Sequence, residues 1–298
     1  MPRPDTAERL SARVRVANLL AVVLPFLGLA AAFALLWGRG FGWVELGLLA
    51  GMYVVTALGI TVGFHRLFTH RAFEAGRAVQ FTLAALGSMA VQGPLLRWVA
   101  FHRRHHQHSD GREDPHSPHH GGGGLRGLLR GLWHAHLGWL FRPDPPGLAC
   151  YVRDLRRSRL VRAASALSPL WVAAGLLLPA AVGALLAGGW MGALRGLLWG
   201  GLVRIFLVHH VTWSVNSVCH LWGRQPFPGR DQSRNNFLFG VPAFGEGWHN
   251  NHHAFPTSAR HGLRWWQMDV SYWVIRALAL LGLAWKVRLP AEQAMAAW

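Results

Sequence analysis

Three clusters of histidine carry the chemistry available to this chain. His249-Asn-Asn-His252-His253 places imidazoles at i, i+3 and i+4, which share one face of a helix turning by about 100° per residue. His102-Arg-Arg-His105-His106 repeats that spacing, and His65-Arg-Leu-Phe-Thr-His70 is a third, looser box. His220 follows Asn216 by four residues, so an amide and an imidazole also share a face. These nine of the 18 histidines exceed what one first-row ion coordinates, which implies two metals. His105 and His106 diverge by about 100°, as do His252 and His253, so each pair can serve different metals. His65 and His70, five apart, are expected to diverge by about 140°. Neutral imidazole suits iron, copper, zinc and nickel, so ligand type alone names no metal. Zinc seldom needs more than four ligands, whereas two metals held by imidazole fit oxygen activation against C–H bonds. Glu246, Asp114 and Asp269 are the candidate carboxylates for orienting ligand histidines. His108, His116, His119, His120, His134, His136 and His261 read as loop or helix-surface residues, and His209 and His210 as packing or polar contacts.

The elements that must position these boxes are apolar. Of 298 residues, 52% are hydrophobic and only 14% charged, a composition of membrane proteins. The net charge of +17 could serve nucleic acid, but the basic residues flank apolar runs instead of forming one basic domain, so anionic lipid is the better partner. Two cysteines, Cys150 and Cys219, are too few for a disulfide scaffold or an iron–sulfur cluster.

Four runs are long enough to cross the ~30 Å hydrocarbon core: 16–37, 43–62, 163–187 and 190–215. They form two hairpins, the first turning at Gly38–Gly42 and the second at Gly188-Gly189. Arg3, Arg9, Arg13 and Arg15 precede the first hairpin and Arg39 alone sits in its turn, which puts both chain ends and His65 on the cytoplasmic side. Ala78–Leu96 is apolar enough to look like a further span, yet a span there would separate His65 and His70 from His102. It must therefore lie on the membrane surface or in the cytoplasmic body. Arg204 interrupts the fourth span, where a buried arginine is functional or paired by default. Leu125–Phe141 reads as a short cap helix and Tyr272–Leu289 as an interfacial one. The expected architecture is a single all-α membrane domain over 1–298, with cytoplasmic segments 63–162 and 216–298 forming a helical cap around the histidines.

With these motifs in order, His65-Arg-Leu-Phe-Thr-His70, His102-Arg-Arg-His-His106, Asn216-Ser-Val-Cys-His220 and Gly245-Glu-Gly-Trp-His-Asn-Asn-His-His-Ala-Phe-Pro256, the chain resembles the membrane fatty acyl desaturases of the stearoyl-CoA desaturase type over roughly Val16 to Trp285. The resemblance implies a non-haem di-iron centre with nine histidine ligands, a water held by Asn216, O2 as co-substrate, and four transmembrane helices under a cytoplasmic cap. It also implies a bent acyl tunnel lined by Gln92, Trp98, Thr212 and Trp213, and a cis double bond at Δ9. Animal acyl-CoA members carry Arg-Asp before the second box where this chain has Ala100-Phe101, which leaves phospholipid or acyl carrier protein beside acyl-CoA as the substrate's carrier. No fused cytochrome b5 is visible, so a separate ferredoxin or cytochrome b5 type donor is expected, suited by a basic face. A bacterial inner membrane is the expected location. A membrane hydroxylase sharing the same centre, and a non-catalytic metal-binding or transport protein, are the rival readings.

Overall fold

The computed structural model describes residues 10–36 and 41–291. Trp37, the Gly38-Arg39-Gly40 part of the first turn, and Arg3 and Arg9 lie outside the described residues.

Among the described residues, four helices are long and apolar enough to cross a membrane: Ala12–Ala34, Trp43–Thr69, Ser168–Ala187 and Gly189–His220. Helix α1 (Ala12–Leu36) supplies the first and α2 (Trp43–Leu58) begins the second, which continues into a π-helical stretch, Gly59–Thr69. The third span is shorter than the apolar run 163–187. Ser158 caps a separate helix, α6 (Arg159–Ala166), its Oγ accepting from Val161 N at 3.3 Å. Pro169, in the first turn of α7 (Ser168–Ala187), then starts a new helix, because a proline there loses only an amide that has no intrahelical partner. The break keeps Arg159 and Arg162 out of the span. Gly188 (φ +83°) and Gly189 (φ +57°) make the following turn, where positive φ favours glycine.

Helix α8 (Gly189–Gly196) returns along α7 in close contact. A Cβ on Gly183 would lie 2.3 Å from the Gly192 carbonyl oxygen, and one on Gly196 2.0 Å from that of Pro179. Small residues at such a seam let two helices approach where lipid gives no hydrophobic drive. A second π-helical stretch, Leu197–Val203, leads into α9 (Arg204–Ser217) and a 3-10 turn, Val218–His220. Arg204 is fully buried, and its partners are carbonyls, not a carboxylate: it donates to Met89 O and Gly175 O at 2.7 Å each and to Gly200 O at 3.1 Å.

The stretch Ala78–Leu96 is not a helix of spanning length. It contains α3 (Arg77–Ser88), a turn with Val91 at φ +61° and Gly93 at φ +91°, and the start of α4 (Leu95–His108). Helix α3 packs on the π-helical stretch so closely that a Cβ on Gly59 would lie 2.1 Å from Gly87 N. That packing leaves His65 and His70 beside α4, which carries the second box.

The cap is built from α4, α5 (Gly124–His136), α6, α10 (Phe237–Gly240), α11 (His249–Ala254) and α12 (Val270–Leu280). The expected helix Leu125–Phe141 ends at His136 and resumes as a 3-10 turn, Gly138–Phe141. Leu125, Leu129 and Trp133, at i, i+4 and i+8, are exposed on α5, the stripe of a helix lying at a membrane surface. The run Tyr272–Leu289 likewise stops at Leu280. After a turn at Gly282 (φ +70°) the chain forms β2 (Ala284–Trp285), antiparallel to β1 (Glu74–Ala75). Under the histidines lies an apolar core including Ile60, Phe64, Phe68, Phe73, Leu95 and Val99.

Candidate metal centre

The histidine boxes converge from four elements. The π-helical stretch brings His65 and His70, α4 brings His102, His105 and His106, the turn after α9 brings His220, and α11 brings His249, His252 and His253. They sort into two groups whose donor nitrogens all lie within 4.8 Å of one another: His65, His70, His102, His106 and His252, and His105, His220, His249 and His253. Adjacent His105 and His106 fall in different groups, as do His252 and His253, which follows from their divergence on a helix.

His65 and His70 do not diverge. The structure places them in one group because the segment is π-helical: hydrogen bonds reach five residues instead of four, and His70 N donates to His65 O at 3.1 Å. That winding stacks residues five apart, where an α-helix would turn them about 140° from each other.

Within each group the ring nitrogens crowd. His252 Nε2 lies 3.1 Å from His65 Nε2 and 2.9 Å from His106 Nε2, and His106 Nε2 lies 3.1 Å from His102 Nε2. In the second group His249 Nε2 lies 3.0 Å from His220 Nε2 and 3.1 Å from His253 Nε2. The buried Nε2 atoms of His70 and His105 have no hydrogen-bond partner. With metal–nitrogen bonds of about 2.1 Å, adjacent corners of an octahedron are about 3.0 Å apart and those of a tetrahedron about 3.4 Å. The observed separations are near both values, so the nitrogens of each group are close enough to share one ion.

Carboxylates fix the direction of these lone pairs. Glu246 Oε2 accepts from His65 Nδ1 at 2.7 Å, Asp114 Oδ2 from His105 Nδ1 at 2.9 Å, Asp110 Oδ2 from His220 Nδ1 at 2.9 Å and Asp231 Oδ2 from His253 Nδ1 at 2.8 Å. An imidazole whose Nδ1–H is so held must present an Nε2 lone pair, the arrangement that orients metal-binding histidines. Three such lone pairs meet in the second group beside His249 Nε2, and a cation is a partner this convergence of ring nitrogens fits. Burial holds His70, His102, His106, His249, His252 and His253 well below the ordinary imidazole range, reinforced by neighbouring histidines, so these rings stay neutral. His105 differs: burial opposes its charge, but Asp114 outweighs burial and raises it. Burial alone would raise Glu246, but Arg66 and His65 hold it well below the usual carboxylate range.

Of the three carboxylates expected to orient ligands, Glu246 and Asp114 do so. Asp269 instead pairs with fully buried Arg66 at 3.0 Å, accepts from His261 N at 2.6 Å and caps α12. Arg66 in turn bonds Glu246, tying the first group to α12. Sequence reasoning missed Asp110 and Asp231, whose surroundings of serine, glycine and arginine read as ordinary loop. It also placed His116 and His261 on the surface, and both are buried against the groups. His136 and His210 bond each other at 2.9 Å, and His209 donates to Ala90 O at 2.8 Å, so His209 and His210 are polar contacts as expected, while His136, expected as a surface residue, is half-buried against His210. Buried Cys219 belongs to neither group.

Histidines of both groups line one cavity of about 100 Å³. His65, His102, His249 and Asn216 line it together with Gln92, Trp98, Thr212 and Trp213. Gln92 donates from Nε2 to Thr212 Oγ1 at 2.6 Å and accepts from Trp98 Nε1 on its Oε1 at 3.1 Å. The Trp98 ring stacks on His102 with centroids 5.0 Å apart. An apolar chain in the cavity would thus run past one polar bracket beside the imidazoles.

Comparison with known proteins follows the same lines. A Hex-5-enoyl-[acyl-carrier protein] acetylenase of Moorena producens is 47% identical over 274 residues, covering 91% of this chain and 85% of the relative. A palmitoyl-monogalactosyldiacylglycerol delta-7 desaturase of Arabidopsis thaliana is 41% identical over 85% of this chain, which spans 64% of that longer protein. An sn-1 stearoyl-lipid 9-desaturase of Synechocystis is 38% identical over 86% of this chain and 76% of the relative. The family model for fatty acid desaturase matches residues 41–286, the stretch that holds every histidine of both groups, and the chain belongs to the fatty acid desaturase family of oxidoreductases.

Proposed function

We propose that this enzyme removes two hydrogens from a saturated acyl chain to give a cis double bond at Δ9, with O2 and two external electrons, at a di-iron centre on the cytoplasmic face of a bacterial inner membrane. The observation that carries this reading is that two groups of converging imidazoles meet at one largely apolar cavity. One iron is held by His65, His70, His102, His106 and His252, and the other by His105, His220, His249 and His253, with Asn216 holding a water ligand. Bound there, the irons supply the activation of O2 that allows unreactive C–H bonds to be broken, and O2 leaves as two waters.

The protein's own residues place the chain. Gln92, Thr212 and Trp98 form a rigid bracket that forces a bend, so that a single C–C bond sits beside both groups in a cis-like shape. Trp98 transmits that position to His102 through ring stacking. Carboxylates at Nδ1 keep His65, His105, His220 and His253 from swinging into the cavity. Phe101 and Trp139, centroids 5.4 Å apart, line both the cavity and a second hollow, where Arg112, Arg130, Arg142 and the Glu113-paired Arg104 outnumber the carboxylates of Glu113 and Asp114. That hollow suits the anionic head of an acyl-CoA, acyl carrier protein or lipid-linked substrate. The electron donor is a separate ferredoxin or cytochrome b5 type protein, whose acidic face the cap's arginines would attract.

Expression in a host lacking the activity, with localisation of double bonds in its lipids, tests the proposal. New Δ9 monoenes support it. Hydroxy acids would favour a hydroxylase, and unchanged lipids with iron bound and a working donor would refute it.

A further inference from the structure

Two histidines that neither metal group uses are built into the groups in the same way. His261 is buried with its ring centroid 4.4 Å from that of His252, the planes at 34°, and its Nδ1 lies 3.4 Å from the Glu246 oxygen that holds His65. His116 is buried with its ring centroid 4.5 Å from that of His105, again at 34°, and its Nδ1 lies 3.7 Å from Asp114, the carboxylate that holds His105. Each therefore covers one face of a ligand imidazole and sits beside the carboxylate of a ligand in the same group. The Nε2 of His261 is buried without a hydrogen-bond partner, and at these distances the Nδ1 atoms of His261 and His116 stand beside their carboxylates without closing a well-formed hydrogen bond. Burying such polar atoms without well-formed hydrogen bonds is unfavourable, so an imidazole is a poor choice for merely filling either space. A phenyl ring would fill it without that cost.

We propose that His261 and His116 are positioning residues, one for each metal, that steady a ligand ring through its face and a ligand's carboxylate through its edge. The dependence is plainest at His252. Its Nδ1 is buried and unpartnered, so no hydrogen bond at that nitrogen fixes the ring's orientation, and the face of His261 packs where that control is missing. At the second group His116 reinforces His105, which Asp114 already holds. Partners of this kind around a ligand are worth about 10–100-fold in metal affinity.

This inference rests on the two-iron reading, and its test separates the two. Full-length protein is loaded with iron in detergent, and the Mössbauer spectrum and iron release to a chelator are compared for wild type, His261→Phe and His116→Phe. The phenylalanines keep a flat ring of similar size. In His261→Phe one iron environment changes and one equivalent of iron is held about tenfold more weakly or worse, while the other is unaffected. His116→Phe changes the other environment. His261→Gln, which restores a donor toward Glu246, recovers part of the wild-type signature. Two unaltered environments with wild-type release in both variants would overturn the proposal, as would equal disturbance of both irons by either variant. Wild-type protein unable to hold two irons would overturn the metal reading itself, and is scored before any variant.

Discussion

Replacing Asp231 by asparagine tests whether the second group is a metal site held from outside by carboxylates. Asp231 Oδ2 accepts from His253 Nδ1 at 2.8 Å, and its Oδ1 accepts from Ser233 N at 3.0 Å. Asparagine can keep the bond to Ser233 through its carbonyl oxygen, but it then turns an amide donor toward the Nδ1–H of His253. The ring loses a charged acceptor and the push that acceptor gives to Nε2, which lies 3.1 Å from His249 Nε2. The expected cost is about 10–100-fold in affinity for one equivalent of iron, or about 1.4–2.7 kcal/mol. A chelator titration of loaded protein reads this as one weakened step and one unchanged step. Asp144→Asn is the control, since Asp144 pairs with Arg97 and touches no histidine of either group. Two wild-type steps in Asp231→Asn, or two equally weakened ones, would refute the assignment of His253 and its carboxylate to a single site.

Three further outcomes are expected. Gln92→Leu removes the bonds to Thr212 and Trp98 without touching a ligand, so iron content should hold while double-bond position scatters; a single unchanged product isomer would contradict the bracket's role. Arg204→Met leaves three buried carbonyls without their donor, at about 1–3 kcal/mol each, and should lower the thermal midpoint markedly; an unchanged midpoint would show that the arginine is dispensable to the fold. Acid should destabilise metal-free protein, because His102, His106, His249, His252 and His253 sit well below the value near 6.5 of an unfolded histidine. Below about pH 6.5 the unfolded chain then binds more protons than the folded one, and each such ring costs up to about 1.4 kcal/mol per pH unit. His105, raised by Asp114, works in the opposite sense, its contribution fading as pH rises through its own value. A thermal midpoint that is level or higher at pH 5.5 than at pH 7.5 would refute the neutral-ring description.

Helical periodicity made much of the site legible. The separation of His105 from His106 and of His252 from His253 into different groups follows from the angle between adjacent residues on an α-helix. The same rule failed at His65 and His70, because nothing in Gly59–Thr69 announces π-helical winding; it depends on how α3 packs against Gly59 and Gly63. Composition located the spans, yet the edge at Ser168 is set by Pro169, after a separate helix that Ser158 caps, and an apolar count passes over both. Asp110 and Asp231 were invisible for a different reason. A carboxylate bonded to a histidine more than twenty residues away has no local pattern, and only the folded loops bring Asp231 to His253 and Asp110 to His220. His116 and His261 escaped because their role lies in the ring they cover, which spacing does not encode.

The most direct test of desaturation at these histidines uses stearate fully deuterated at C9 and C10, supplied to cells expressing the enzyme, with mass spectrometry of the product. The proposed chemistry yields an oleoyl chain that has lost one deuteron from each carbon, and none in His252→Ala cells. A product that gains oxygen and loses a single deuteron, or a double bond formed with every deuteron retained, would contradict it.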